Sequence, residues 1–525
     1  AINSPHAEKW WEAMETELTM LKSDLQAWEL VPREPWMHVL PSTWAFHLKR
    51  FPNGLAKKFK ARFCIRGDRQ VEGVDFFETW APVVQWTTVQ SMMVLATRMN
   101  LVSAQADITA AFVHAPLGPE EHIYVRQPAG FQRDGDLVLK LKKSVYGLRQ
   151  SPRNFFKYLS DHLGAQGLLP SKLDPCLFVG NSMVVVVYVD GLLICAKTTS
   201  EIDSLTSHLH AAGICIRREG IAKGFLGVDM VSTTTSSGPQ ITLLQVGLTK
   251  RIIDAVGLCS SLSTPIGTPA ESSPLPKDAD GPPASGAFNY AAAVGMLLYL
   301  SGHSRPDIAF AVHQCARYTF HPTRRHELAL IHIGRYLKGT MDKGLVMSPS
   351  LHPRVDCYPD ADFAGLYGHE DSRDPHCACS RTGYVILAFG CPVLWRSRLQ
   401  TEIALSTMEA EYVALNTACK DLLPLVAVIR ELSAAVGLDA SFTSNIHCKI
   451  HKDNVGALTL ARLEPRCMTP CSKHYAIKYH WFREFISSPE NWVEVVKVDS
   501  RNQLGDIFTK GLAAPTFEYL CHLLM

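Results

Sequence analysis

At 525 residues with 47% hydrophobic content, the chain is too long for one ordinary core and too apolar to be disordered, so two or three globular domains are expected. Its 52 Lys and Arg against 50 Asp and Glu exclude a global positive field, and any grip on nucleic acid has to come from local basic clefts. The 15 cysteines form no CxxC pair and no secretory signal precedes them, which predicts reduced thiols in an intracellular, non-secreted protein without disulfides.

The sequence opens on Ala1 without a methionine, as a processed product or a piece of a longer protein would. EKWWEAMETELTMLKSDLQAWEL then places Trp11, Met14, Leu18, Leu21 and Leu25 at helical spacing, predicting an amphipathic helix. In FKARFCI, Phe59 to Ile65, Lys60 and Arg62 alternate with apolar residues, which predicts a half-exposed strand with a cationic face. LVSAQADITAAFVHA reads as a further strand with Asp107 near its middle, and LKKSVYGLRQSPRNFFKYLSDHL as a loop leading into a helix. VVVVYVDGLLIC, Val184 to Cys195, is the longest apolar run, too short for a membrane span and broken by Asp190. Asp190-Gly191 is read as the tight turn of a β-hairpin, since glycine tolerates positive φ. TPIGTPAESSPLPKDADGPPASG, rich in Pro, Ser and Gly, reads as a linker. The segments around SRPDIAFAV and HELALIHIGRYLKGT have helical periodicity, and from about Arg354 strands and helices alternate as in a separate α/β domain.

FKARFCIRGDRQVEGVDFFETWAPVV, QADITAAFVHAPLGPEEHIYVRQPAGF, SVYGLRQSPRNFF, DPCLFVG, YVDG and SRPDIAFAV, in this order, resemble the reverse transcriptase of copia-type LTR retrotransposons from about Trp10 to Thr340. The resemblance implies a right-hand polymerase of mixed α+β and α/β class: fingers and palm over 1–258, a linker over 259–287 and a helical thumb or connection over 288–345. It also implies roles. Asp107 matches the first palm carboxylate and Asp190 the first acid of a Tyr-Val-Asp-Asp turn, holding two Mg²⁺ or Mn²⁺ ions. Lys60, Arg62, Phe112, Tyr146 and Gly147 match nucleotide-binding positions, with Phe112 a steric gate against a 2′-hydroxyl, and Phe225, Leu226 and Gly227 match the primer grip. Where the family carries a second turn aspartate this chain has Gly191, which supplies no ligand, so DNA synthesis is expected to be severely impaired.

Over 354–515 a second set of acids, Asp360, Glu411, Asp453 and Asp506, resembles the ribonuclease H-like domain of the same elements. There four acids hold two further Mg²⁺ or Mn²⁺ ions for cleavage of the RNA strand of an RNA–DNA hybrid. Alternation puts Asp362 on the face of Asp360, and strand periodicity does not choose between them. Glu409 and Glu411 point about 200° apart on a helix, and analogy with the wider family favours Glu411. Lys452 and Gly505 depart from the family pattern beside the acids. SKHYAIKYHWFREF, Ser472 to Phe485, interleaves bases and aromatics as a nucleic-acid track or an amphipathic helix would. Cys467, Cys471 and His474 lack an evident fourth zinc ligand.

The expectation is therefore an RNA-directed DNA polymerase with ribonuclease H. Its partners are an RNA template, a DNA primer, the RNA–DNA hybrid and dNTPs, with integrase or capsid portions of the same polyprotein as further candidates. It is expected to act without a membrane, in a cytoplasmic particle or the nucleus. Its polymerase site is expected to be impaired by Gly191, and its nuclease, with all four acids present, to be intact. The alternative is a catalytically inactive relic or a domesticated nucleic-acid-binding protein.

Overall fold

The computed structural model describes residues 1–50, 56–180, 183–236, 238–258, 263–463, 480–486 and 492–525. Cys467, Cys471, His474 and most of the Ser472–Phe485 stretch, Tyr475 and Tyr479 included, lie outside them. The chain forms two compact units, one of residues 1–84 and 104–220, the other of 85–103 and 221–525.

In the first unit the N-terminal helix spans Ala7–Thr19 and continues as a π-helical turn, Met20–Asp24. Its inward face carries Trp10, Met14, Glu17 and Leu21, whereas Trp11, expected there, is exposed. Strand Ala56–Ile65 pairs antiparallel with Ser42–Arg50. It buries Ala61, Phe63 and Ile65 and leaves Lys60, Arg62 and Cys64 half-buried on the other face, as period-two alternation requires. The central sheet takes the order 216–221, 102–108, 191–196, 183–188, 177–180, 169–170, and its middle strands are almost wholly buried valine, leucine and isoleucine.

The hairpin differs by one residue from the sequence expectation. Tyr188 pairs with Gly191, so the two-residue loop is Val189-Asp190, and Val189 is the residue at positive φ (55°). Gly191 opens the second strand. Five residues pair on each side, Val184–Tyr188 with Gly191–Cys195, and moving the turn to Asp-Gly would keep every side chain on its face but shift the pairing by two residues.

In the second unit, helices Tyr290–His303, Ala309–Ala316 and Arg324–Gly339 pack together. The SRPDI motif supplies their buried tie. The Arg305 guanidinium donates to Asp307 from Nε (2.9 Å) and Nη2 (2.8 Å), and to the Thr340 carbonyl (2.9 Å) and hydroxyl (2.8 Å), while the Tyr336 hydroxyl donates to Asp307 (2.6 Å). Residues 263–287, read as a linker from composition, lie along these helices as a strap. The Leu275 N–H donates to Gln314 (2.8 Å), the Pro276 carbonyl meets the His326 ring (2.9 Å), and the Ser285 N–H and hydroxyl both donate to Glu327 (3.0 and 2.5 Å). Backbone hydrogen bonds to side chains hold this segment where apolar residues are too few to do so.

The rest of this unit builds on a five-stranded sheet in the order 391–399, 381–388, 354–362, 447–452, 493–497. The first three strands are antiparallel and the last two parallel. Helix Thr407–Ala435 lies on it. By length and composition this is the one described helix able to cross a membrane, yet most of its apolar residues are buried inside the unit. The cysteines of the described residues are free thiols.

Candidate catalytic centres

The front centre forms where strand Val102–Ile108 meets the hairpin. The Ile108 N–H donates to the Asp190 carbonyl (2.8 Å), which seats the Asp107 and Asp190 side chains beside each other at the end of the sheet. Asp107 is half-exposed and 3.9 Å from Arg217. Burial raises the Asp190 carboxyl and Asp107 adds to the rise, while Arg62 and Lys60 oppose it. Four of the expected site residues thus share one field.

Arg62 stacks over Tyr146, 5.2 Å from its centroid, and has a buried Nε with no hydrogen-bond partner. Phe112 meets Tyr146 at 5.5 Å between centroids. Gly147, at φ +94°, lies so close to strand Ala56–Ile65 that a Cβ there would sit 2.1 Å from the Ile65 carbonyl oxygen. That contact, with the Ile65 N–H donated to the Tyr146 carbonyl (2.8 Å), fixes the Tyr146 ring relative to Lys60 and Arg62. A cleft of about 420 Å³ opens alongside, lined among others by Lys60, Thr109, Ala110, Tyr146 and Glu17. Burial raises the Glu17 carboxyl, and Lys60 and Arg62 lower it. Glu17 is a neighbour of the cationic face that the sequence placed only within a helix. Phe225, Leu226 and Gly227 lie in the second unit: Phe225 is buried and pairs with Val228 across a two-residue turn, with Leu226 at φ 52° and Gly227 at 70°.

The rear centre is built by close packing. Ala410 and Ala414 of the long helix sit against Ala361 and Ala404, and these small residues bring Glu411 to Asp360. Residues 504–508 approach through two glycines: a Cβ on Gly505 would lie 2.7 Å from both Asp360 Cβ and the Tyr358 carbonyl oxygen, and one on Gly383 would lie 2.7 Å from Phe508 Cβ. Carboxylate oxygens of Asp360, Glu411 and Asp453 come within 4.8 Å of one another. Asp506 joins from the side through Lys510, whose Nζ lies 2.9 Å from Asp506 and 3.9 Å from Asp360, and Thr509 donates to Asp360 (2.5 Å). Asp362 falls outside the three-acid cluster, and Glu409 accepts the Leu405 N–H (2.8 Å) at the helix start.

Lys452 was expected beside these acids, but its side chain enters them. Strand His447–Lys452 alternates with Cys448, Ile450 and Lys452 inward. The Lys452 side chain is completely buried, its Nζ 2.5 Å from Glu411 Oε2, 3.4 Å from Asp453 Oδ1 and 3.1 Å from the Pro359 carbonyl. Burial alone would depress this ammonium, but Glu411, Asp360 and Asp453 hold it above its ordinary value. Burial pushes Glu411 up, against the pull of Lys452. For Asp453, Lys452 and the Gln503 amide outweigh burial and hold the carboxyl low. Asp506 is raised to about 7 by burial and then by Asp360. The oxygens suit a hard cation, but an ammonium already stands between Glu411 and Asp453, and a pair of metal ions does not fit the centre as arranged. The signal was present in the sequence: alternation through HCKIHK puts the lysine on the face of Cys448 and Ile450. Lys510 was also legible, four residues after Asp506.

Residues 25–270 match the family described as reverse transcriptase (RNA-dependent DNA polymerase). Over 99% of its length the chain is 30% identical to the retrovirus-related Pol polyprotein from transposon TNT 1-94 of Nicotiana tabacum and 29% identical to that from transposon RE2 of Arabidopsis thaliana. It spans 38% and 34% of those relatives, a little over a third of their length. The putative transposon Ty5-1 protein of Saccharomyces cerevisiae is 28% identical over 59% of the chain, covering 98% of that protein. A foamy viral protease-reverse transcriptase solved in complex with dsDNA overlaps 94% of this chain and 83% of its own, at 13% identity and a TM-score of 0.49. Residues 25–270 therefore match the reverse transcriptase family, and over nearly its whole length the chain is similar to part of the Pol polyproteins of copia-type transposons.

Proposed function

We propose that the chain is the polymerase and ribonuclease H-like portion of a copia-type Pol polyprotein, built to extend a DNA primer on an RNA template from dNTPs. The observation that carries this is the seating of Asp107 and Asp190 side by side, within the field of Lys60 and Arg62. Both are accessible carboxylates of the right chemistry for a hard divalent cation, Mg²⁺ or Mn²⁺. Such an ion would supply Lewis-acid stabilisation of phosphate charge. Lys60 and Arg62 neutralise the incoming triphosphate, Tyr146 and Gly147 shape its pocket, Phe112 excludes a 2′-hydroxyl, and the Phe225–Gly227 turn positions the primer. Because Gly191 leaves two carboxylates where the family has three, synthesis by this copy is weak. The template–primer hybrid, integrase and capsid portions remain its partners in this reading, inside an intracellular particle.

Primer extension on an RNA template with Mg²⁺ or Mn²⁺ tests it. The expected result is slow synthesis that Gly191→Asp raises by about a hundredfold, the scale on which one transition-state ligand acts, and that Asp107→Asn abolishes in both. Robust synthesis by the unmodified chain that survives Asp107→Asn overturns the assignment. A second reading, a catalytically silent hybrid-binding protein, is favoured by Gly191 and Lys452 together. It predicts a gel shift of RNA–DNA hybrid with no extension even by Gly191→Asp.

A further inference from the structure

Lys452 does more than sit near the rear acids. Its Nζ lies 2.5 Å from Glu411 and 3.4 Å from Asp453, and the same two carboxylates, with Asp360, keep oxygens within 4.8 Å of one another. A hard divalent ion bridging such oxygens needs contacts of about 2.0–2.6 Å, so it would need the space the ammonium fills. The lysine also has no way out along its own strand. Its residue is the last of His447–Lys452, paired in parallel with Lys497, and the side chain leaves the strand on the fully buried face. Turning it to solvent would break the pairing of the strand's end with Lys497. Lys510 differs, being 43% exposed and free to swing aside. A tethered cation held in this way competes at high effective concentration against ions in solution.

We propose that Lys452 is a built-in cation occupying the Glu411–Asp453 position of the ribonuclease H-like centre, so that this centre holds together without metal and does not cut RNA. The remaining acid charge is then structural: it compensates the buried ammonium. This goes beyond the polymerase reading, which concerns the front centre, and stands or falls independently of it.

The test uses the full 525-residue chain carrying Asp107→Asn and Asp190→Asn, so that the front acids contribute no ion. Mn²⁺ binding is followed by the loss of the free-ion electron paramagnetic signal. The expected result is no binding at this centre in the parent, and in Lys452→Met a gain in affinity of at least about a hundredfold, the scale set by removing one ammonium within 4 Å of the acids. Adding Asp453→Asn removes that gain. Lys452→Met is also expected to melt earlier in EDTA and recover with Mn²⁺, while the parent melts alike in both. A parent that binds Mn²⁺ as tightly as Lys452→Met, or that cleaves a labelled RNA–DNA hybrid in a manner lost with Asp453→Asn, overturns the proposal whether or not the methionine variant folds.

Discussion

Arg305→Met tests the tie that holds the helical part of the second unit. The wild-type guanidinium makes four donor contacts of 2.9 Å or less, two to Asp307 and two to Thr340, with side-chain exposures of 1% for Arg305 and 0% for Asp307. Methionine fills much of the volume but leaves Asp307 buried with the Tyr336 hydroxyl as its remaining strong donor. Breaking such a pair by removing one partner costs about 3–5 kcal/mol, whereas replacing both by apolar groups is often close to neutral. Arg305→Met is therefore expected to lose about 3–5 kcal/mol and Arg305→Met with Asp307→Leu about 1–2 kcal/mol, a coupling of at least about 2 kcal/mol. A chain of two units need not unfold in one step, so the assay is amide hydrogen exchange across helix Arg324–Gly339, read as a local opening free energy. A single variant within about 1 kcal/mol of wild type, or a double variant as unstable as the single, would refute this accounting.

Two more expectations concern the rear centre. Gly505→Ala forces a Cβ to within 2.7 Å of Asp360 Cβ and the Tyr358 carbonyl oxygen; it should cost about 1–3 kcal/mol by overpacking, measured by urea unfolding, and Gly383→Ala should behave alike. Asp506 has its carboxyl raised from 3.8 to about 7, so the folded state binds that proton more tightly than the unfolded one. Its contribution is complete below about pH 3.8 and is lost as pH rises through about 7. Asp506→Asn should flatten the fall in thermal stability across that window, and an unchanged slope would count against the shift.

Much of this architecture was legible because it follows local rules. Alternation in FKARFCI separates Lys60 and Arg62 from Phe63 and Ile65, and strand-then-helix order after Arg354 marks the five-stranded sheet. What was not legible depends on distant partners. The turn of the hairpin fell on Val189-Asp190 because strand pairing outweighed the local appeal of Asp-Gly. The inward phase of the first helix takes Trp10, which packs edge-on against Phe46 and Phe59 of two strands, over its equally apolar neighbour Trp11. Composition alone made 263–287 a tether, since its hydrogen-bond partners include a helix side chain 71 residues away. At the rear centre the acids could be named from their motifs, but Lys452 was read by its place in the sequence instead of its face on the strand.

The helix Trp86–Arg98 belongs to the second unit although most of that unit begins at residue 221. Its last residue, Arg98, lies over the rings of Phe389 and Phe442, at 5.3 and 4.8 Å. During synthesis this early segment emerges some three hundred residues before those rings exist, so the later unit cannot close around it until Phe442 has been made. A protease cut or a premature stop after residue 220 leaves that helix an orphan, and a fragment begun at 221 is born with a groove where it should lie.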